Sequence, residues 1–224
     1  MKYGESTFDI LYLAFAILTG IIILIRHRNK NDVLMGTAAL VLGIGDSFHL
    51  VPRVLNYFSD NDLTWYLGFG KLVTSITMTV FYILVFLLYK RVYGKDDKNT
   101  KNLGITIYIL AALRIALCLA PGNNWFTGEG TMLWAVLRNL PFIVIGGIIV
   151  CLYYKVRRED RCLGRIWIYT ALSFLFYIPV AVFASLLPIL GMLMLPKTVC
   201  YILMLVSFIR KQRDSMKREG LVNG

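Results

Sequence analysis

A chain of 224 residues that is 58% hydrophobic, with a mean hydropathy of +0.65, is too apolar for a soluble domain of its size. Its net charge of +11 would suggest nucleic acid in a soluble protein. Here the basic residues fill the gaps between apolar runs, so they read as topology signals and as contacts for anionic membrane lipids, with no nucleic-acid partner. Cys118, Cys151, Cys162 and Cys200 show neither a disulfide frame nor metal spacing, and no cofactor motif is present.

Seven runs are long enough to cross the roughly 30 Å of bilayer hydrocarbon as helices. They cover 8–25, 33–51, 65–89, 103–120, 132–154, 166–187 and 190–209. The first could pass for a signal peptide, but its length and the basic residues behind it fit an N-out anchor helix better. Arg26, Arg28 and Lys30 follow the first run, and Lys90, Arg91, Lys95, Lys98 and Lys101 the third. Lys155, Arg157, Arg158, Arg161 and Arg165 follow the fifth, and Arg210, Lys211, Arg213, Lys217 and Arg218 the seventh. The opposite side holds only Lys2 and Arg53, against Glu5, Asp9, Asp60, Asp62 and Glu129. The positive-inside rule then places the N-terminus outside and the C-terminus in the cytoplasm. The expected architecture is all-α: a single seven-helix transmembrane domain over 1–209 and a basic cytoplasmic tail over 210–224. The expected location is the cytoplasmic membrane of a bacterium. Pro141 and Pro179 fall inside helices, where they kink the chain and free carbonyls that can line a cavity.

Asp46, Lys71, Arg114, Arg138 and Lys197 lie within the apolar runs. Each falls six or seven residues from the expected outer end of its helix, about 9–10 Å deep at 1.5 Å per residue. A charge in hydrocarbon costs several kcal/mol unless it is paired or faces a protein-lined cavity. One lysine facing lipid can snorkel; four cations in register with an acid suggest one site. Asp46 can neutralise only one of them. The remaining positive charge calls for an outward-facing pocket that takes a phosphate- or carboxylate-bearing ligand, with the arginines as bidentate donors.

Neighbouring residues extend that pocket. Asp46, His49 and Arg53 share a face of the second helix, as do Lys71, Thr74, Ser75, Met78 and Tyr82 in the third. Trp134, Arg138 and Phe142 share one in the fifth, beside Asn139. Ser173 and Tyr177 precede Pro179 in the sixth, and Met194, Lys197, Tyr201 and Met204 align in the seventh. The expected proton-transfer pair is Asp46 and His49. The expected ligand contacts are Lys71, Arg114, Arg138, Lys197, Arg53, Ser75, Tyr82, Asn139, Tyr177 and Tyr201.

The run Gly45-Asp46-Ser47-Phe48-His49-Leu50-Val51-Pro52-Arg53 resembles a motif of the YhhN-type lysoplasmalogenase family. The next helix, from Tyr66-Leu67-Gly68-Phe69 through Ser75 to Phe81-Tyr82, resembles that family's following helix. The resemblance covers these two helices alone. It implies hydrolysis of the vinyl-ether bond of a lysoplasmalogen, with Asp46 as catalytic acid or base. The family's eighth helix and its late second acid have no counterpart here, and Ser75 and Ile76 stand where a histidine often occurs.

Two functions follow from these residues. One is a hydrolase acting on a lysophospholipid-type amphiphile. The other is a non-enzymatic transporter or receptor for a small anion or anionic lipid. A retinal-type photoreceptor, suggested by Lys197 in the seventh helix, fits poorly with Pro196-Lys197-Thr198 and a third helix lacking any carboxylate.

Overall fold

The computed structural model describes residues 2–94, 98–127, 130–183 and 187–222. Lys95, Glu129 and the 184–186 end of the expected sixth span lie outside them. The described residues contain seven long helices and no strand. The helices are α1 (Lys2–Ile25), α2 (Lys30–Asn56), α3 (Thr64–Tyr93), α4 (Lys98–Leu119), α5 (Met132–Lys155), α6 (Ile166–Phe183) and α7 (Met194–Val222). All seven are long and apolar enough to cross a membrane, as in an integral membrane protein.

Burial has the polarity expected of a bundle whose solvent is lipid. Leu11, Leu18, Ile22 and Ile25 on α1, and Ile105, Ile109 and Leu113 on α4, point outward. The buried set contains Ser6, Asp9, Thr19, Arg114, Asn139 and Ser173 beside its apolar members. Inside a membrane the backbone is satisfied within each helix, so polar side chains turn toward the protein interior.

The helices pack in chain order, and α7 closes the ring against α1. α3 also packs against α5 across the ring. Glycine decides how closely α2 and α3 approach. A Cβ on Gly70 would collide with the Phe48 carbonyl, and one on Gly45 with the Thr77 side chain. Such small-residue seams replace the hydrophobic drive that is missing between helices in lipid. Below them lies an aromatic core of Phe81, Tyr82, Phe142, Phe174 and Tyr201.

Most helices run a turn beyond their apolar stretches. Asn29 caps α2, its side chain accepting from the backbone N–H groups of Asn31 and Asp32 at 3.0 Å each. The corner between α6 and α7 is a 3-10 turn over Pro188–Leu193. The basic tail expected to follow the last span continues α7 as helix to Val222. Gln212 explains part of that extension. Its Nε2 donates to the carbonyls of Ile23 at 2.9 Å and Arg26 at 3.3 Å, satisfying the open end of α1.

Candidate functional site

The four intramembrane cations converge. Lys71 from α3, Arg114 from α4, Arg138 from α5 and Lys197 from α7 line one cavity of about 470 Å³. That volume is in the range of small-ligand pockets. Of the other residues singled out in the sequence, His49, Ser75, Asn139 and Tyr177 are also on its wall. Asp46, Arg53, Tyr82 and Tyr201 are not.

Arg114 is the centre of the site. Its side chain is only 2% exposed, yet Nε and Nη1 have no hydrogen-bond partner. The guanidinium carbon lies 3.4 Å from the centroid of the Phe142 ring. A cation over an aromatic face gains about 0.5–2 kcal/mol, but that contact satisfies no N–H donor. Leaving buried donors unmade costs about 1–3 kcal/mol per group, and more for charged ones. Arg114 is among the residues that line the cavity, so an acceptor entering there comes beside these buried donors.

Arg138 is held more firmly. Its Nη1 donates to Asn123 Oδ1 at 2.8 Å, and the guanidinium carbon lies 4.4 Å from the centroid of the Trp125 ring. Asn123 is almost fully buried and supports the loop after α4. Its Nδ2 donates to the carbonyls of Leu117 at 2.6 Å and Ala120 at 2.9 Å. Trp125 Nε1 donates to the Cys118 carbonyl at 2.8 Å. Together they satisfy carbonyls left open where the helix stops. Gly68 on α3 lets the loop settle, since a Cβ there would strike the Trp125 carbonyl. The loop thus roofs the cavity and orients Arg138.

Lys197 Nζ lies 4.6 Å from the Tyr177 ring centroid and 5.5 Å from that of Tyr201. Tyr177 donates its hydroxyl to Asn139 Oδ1 at 2.7 Å, and Asn139 Nδ2 donates to the Ala135 carbonyl at 2.8 Å. Lys71 sits at the exposed rim. Among the described residues, none of the four cations forms a direct ion pair.

Acidic groups stand behind this wall. Asp46 accepts a hydrogen bond from the Tyr12 hydroxyl at 2.6 Å and is close enough to Lys197 to interact electrostatically. Asp9, one turn before Tyr12 on α1, is 3% exposed, with one carboxylate oxygen unpartnered, and it interacts with Asp46. The polar layer therefore holds two carboxylates where the apolar-run reading counted one. Asp9 sits so near the start of its helix that it reads as an outer-side acid; its spacing from Tyr12 was the available signal. Arg53 pairs with Glu5, which also accepts from the Tyr57 hydroxyl at 3.0 Å. It belongs to the α1–α2 contact. His49 reaches the cavity wall, and its Nδ1 is buried without a partner.

Asn123 and Trp125 are the contributors that the sequence reading did not assign to the site. The Pro121-Gly122-Asn123-Asn124 stretch is recognisable as a turn, but nothing in it shows that Asn123 folds back onto α4. Among the described residues no group of three or more His, Cys, Asp or Glu side chains could hold a metal ion. The chain matches no model of a known protein family, no curated protein and no solved structure. The site is therefore interpreted from its own geometry.

Proposed function

We propose that the protein binds the anionic headgroup of an amphiphile in this cavity, within the outer half of the membrane. The observation that carries the reading is the pair of buried, unpartnered donor nitrogens on Arg114, a residue that lines one cavity with three other cations. Structural cations in membranes pair with carboxylates or carbonyls. Arg114 instead keeps two donor nitrogens unmade beside a space of ligand size. The apolar wall segments, Met78, Val180, Val182 and Met194, suit the start of an acyl or alkyl chain. The excess of basic residues around the other end of the bundle supports an outward-facing mouth.

The test is thermal unfolding of purified protein in a neutral detergent, with dodecyl phosphate or dodecyl maltoside added. Ligand at a hundred times its Kd raises stability by about 2.7 kcal/mol. Dodecyl phosphate is expected to raise the unfolding midpoint at concentrations where the maltoside does not. Equal responses would remove the basis for an anion site.

His49 favours one second reading, in which the bound amphiphile is also hydrolysed. It is on the wall, whereas Asp46 is held by Tyr12 behind it. If the resemblance to lysoplasmalogenases extends to chemistry, His49 is the group in position to exchange a proton with the substrate. Aldehyde released from a lysoplasmalogen and lost in His49→Gln would establish this. Silence in that assay, with headgroup binding intact, would leave a receptor or transporter, and counterflow in liposomes separates those two.

A further inference from the structure

We infer that the cavity selects a phosphate dianion, either the terminal monoester phosphate of a single-headed lipid or free inorganic phosphate, over phosphodiester and zwitterionic headgroups. This rests on the anion-site reading above and adds the headgroup class. Charge is the first argument. Four cations line the wall, and the two nearby carboxylates, Asp46 and Asp9, lie off it. Even with both carboxylates ionised, two positive charges stay unmatched. A phosphate monoester carries about −1.5 to −2 at neutral pH. A carboxylate or a phosphodiester supplies only one charge and leaves one of the two unmatched.

The lining also disfavours a cationic headgroup. A quaternary or primary ammonium headgroup needs a carboxylate or a free aromatic face. Among the described residues, no carboxylate lines the cavity. Its aromatic side chains other than His49 are Trp125, Phe142 and Tyr177, and each already faces one of the protein's own cations. A choline or ethanolamine group would have to enter beside Arg138, Arg114 or Lys197. Like-charge contact there repels it.

Donor number points the same way. Arg114 has two unpartnered donor nitrogens, and the Lys71 ammonium adds up to three N–H groups at the rim. A terminal phosphate presents three oxygens to such a set, and a phosphodiester only two. Guanidinium meets phosphate oxygens in a planar, bidentate fork, so removing one oxygen removes part of the fit.

The experiment titrates purified protein in maltoside micelles by calorimetry with four probes. They are dodecyl phosphate, its methyl diester, dodecylphosphocholine and inorganic phosphate. Dodecyl phosphate is expected to bind at least tenfold more tightly than the methyl diester and the phosphocholine, which share its chain. Lys71→Gln at the exposed rim should narrow that ratio without changing the unfolding midpoint of the unligated protein. Inorganic phosphate binding much more weakly than dodecyl phosphate assigns the headgroup to a lipid; equal affinity assigns it to free phosphate. Either outcome keeps the phosphate dianion. Dodecylphosphocholine or the methyl diester within twofold of dodecyl phosphate overturns the headgroup inference and leaves the anion site standing. Binding of none of the four overturns the anion site itself.

Discussion

The two ends of the bundle treat their charges in opposite ways. At the basic end, Lys211 Nζ lies 2.6 Å from Asp160 Oδ2. Asp160 Oδ1 also accepts the backbone N–H groups of Cys162 at 2.7 Å and Leu163 at 3.1 Å. Cys162 Sγ donates to Asp214 at 3.2 Å. These bonds fasten the loop after α5 to the continuation of α7. At the cavity end, Arg114 holds the only buried cationic donors without a partner among the described residues. The same chain can neutralise a partly buried cation where only architecture is at stake. Its failure to do so at the cavity is what marks that end as a place for something else.

Substitutions should divide along this line: changes at the cavity end should reduce binding, and those at the basic end should reduce stability. Asn123 is where the division blurs, and Asn123→Ala is expected to have the largest effect on stability. It removes the Nδ2 hydrogen bonds to the Leu117, Cys118 and Ala120 carbonyls and the Arg138 partner, costing about 2–3 kcal/mol at roughly 1 kcal/mol per bond. Chemical denaturation should show this together with weaker binding of dodecyl phosphate. Unchanged binding would mean that the roof does not position Arg138.

Next in size is Asp160→Asn. Burial pushes the Asp160 carboxyl up, but the Lys211 ammonium and the two backbone N–H groups outweigh that and hold it below its ordinary value. A lowered acid contributes stability that is complete above the ordinary value near 3.9 and is lost as pH falls through the folded-state value. The basic-end network should therefore persist through neutral pH and fail only below about pH 4. Asp160→Asn should cost about 1–3 kcal/mol at pH 7 and flatten that acid limb, with headgroup affinity unchanged. Burial pushes the Cys162 thiol up to about 11, with Asp214 adding to the shift, so it stays a protonated donor across the same range. The smallest effect is expected from Gln212→Ala, about 1 kcal/mol, read as faster amide exchange at the end of α1 and the start of the following loop. A drop in ligand affinity in either basic-end variant would break the division.

The seven spans and the cationic layer were legible because both depend on length and charge alone. Apolar runs of sufficient length have one use in lipid, and counting residues inward fixes depth. Rotation about each helix was only partly legible. Lys71, Ser75 and Tyr82 share a stripe, but Tyr82 lies seven residues past Ser75, about 10 Å deeper at 1.5 Å per residue. There the stripe meets the aromatic core, and Tyr82 packs against Phe142 and Phe174. Tyr201, one turn beyond Lys197, enters the same core against Phe81. Arg53 was read from its own helix, while its partner Glu5 comes from α1. The roof was hidden for a related reason. Hydrogen bonds from Asn123 back to α4 depend on the path of a loop, which residue spacing does not encode.

The central claim is that Arg114 is buried for a ligand and not for the fold. Arg114→Met tests it directly, since a hydrophobic side chain of similar volume replaces a buried charge without leaving a void. The measurement is the unfolding midpoint of wild type and variant, each with and without dodecyl phosphate. The account predicts that the unligated variant is as stable as wild type or more so, and that its ligand-induced rise is lost. A variant that is destabilised without ligand yet still responds fully to dodecyl phosphate would contradict it.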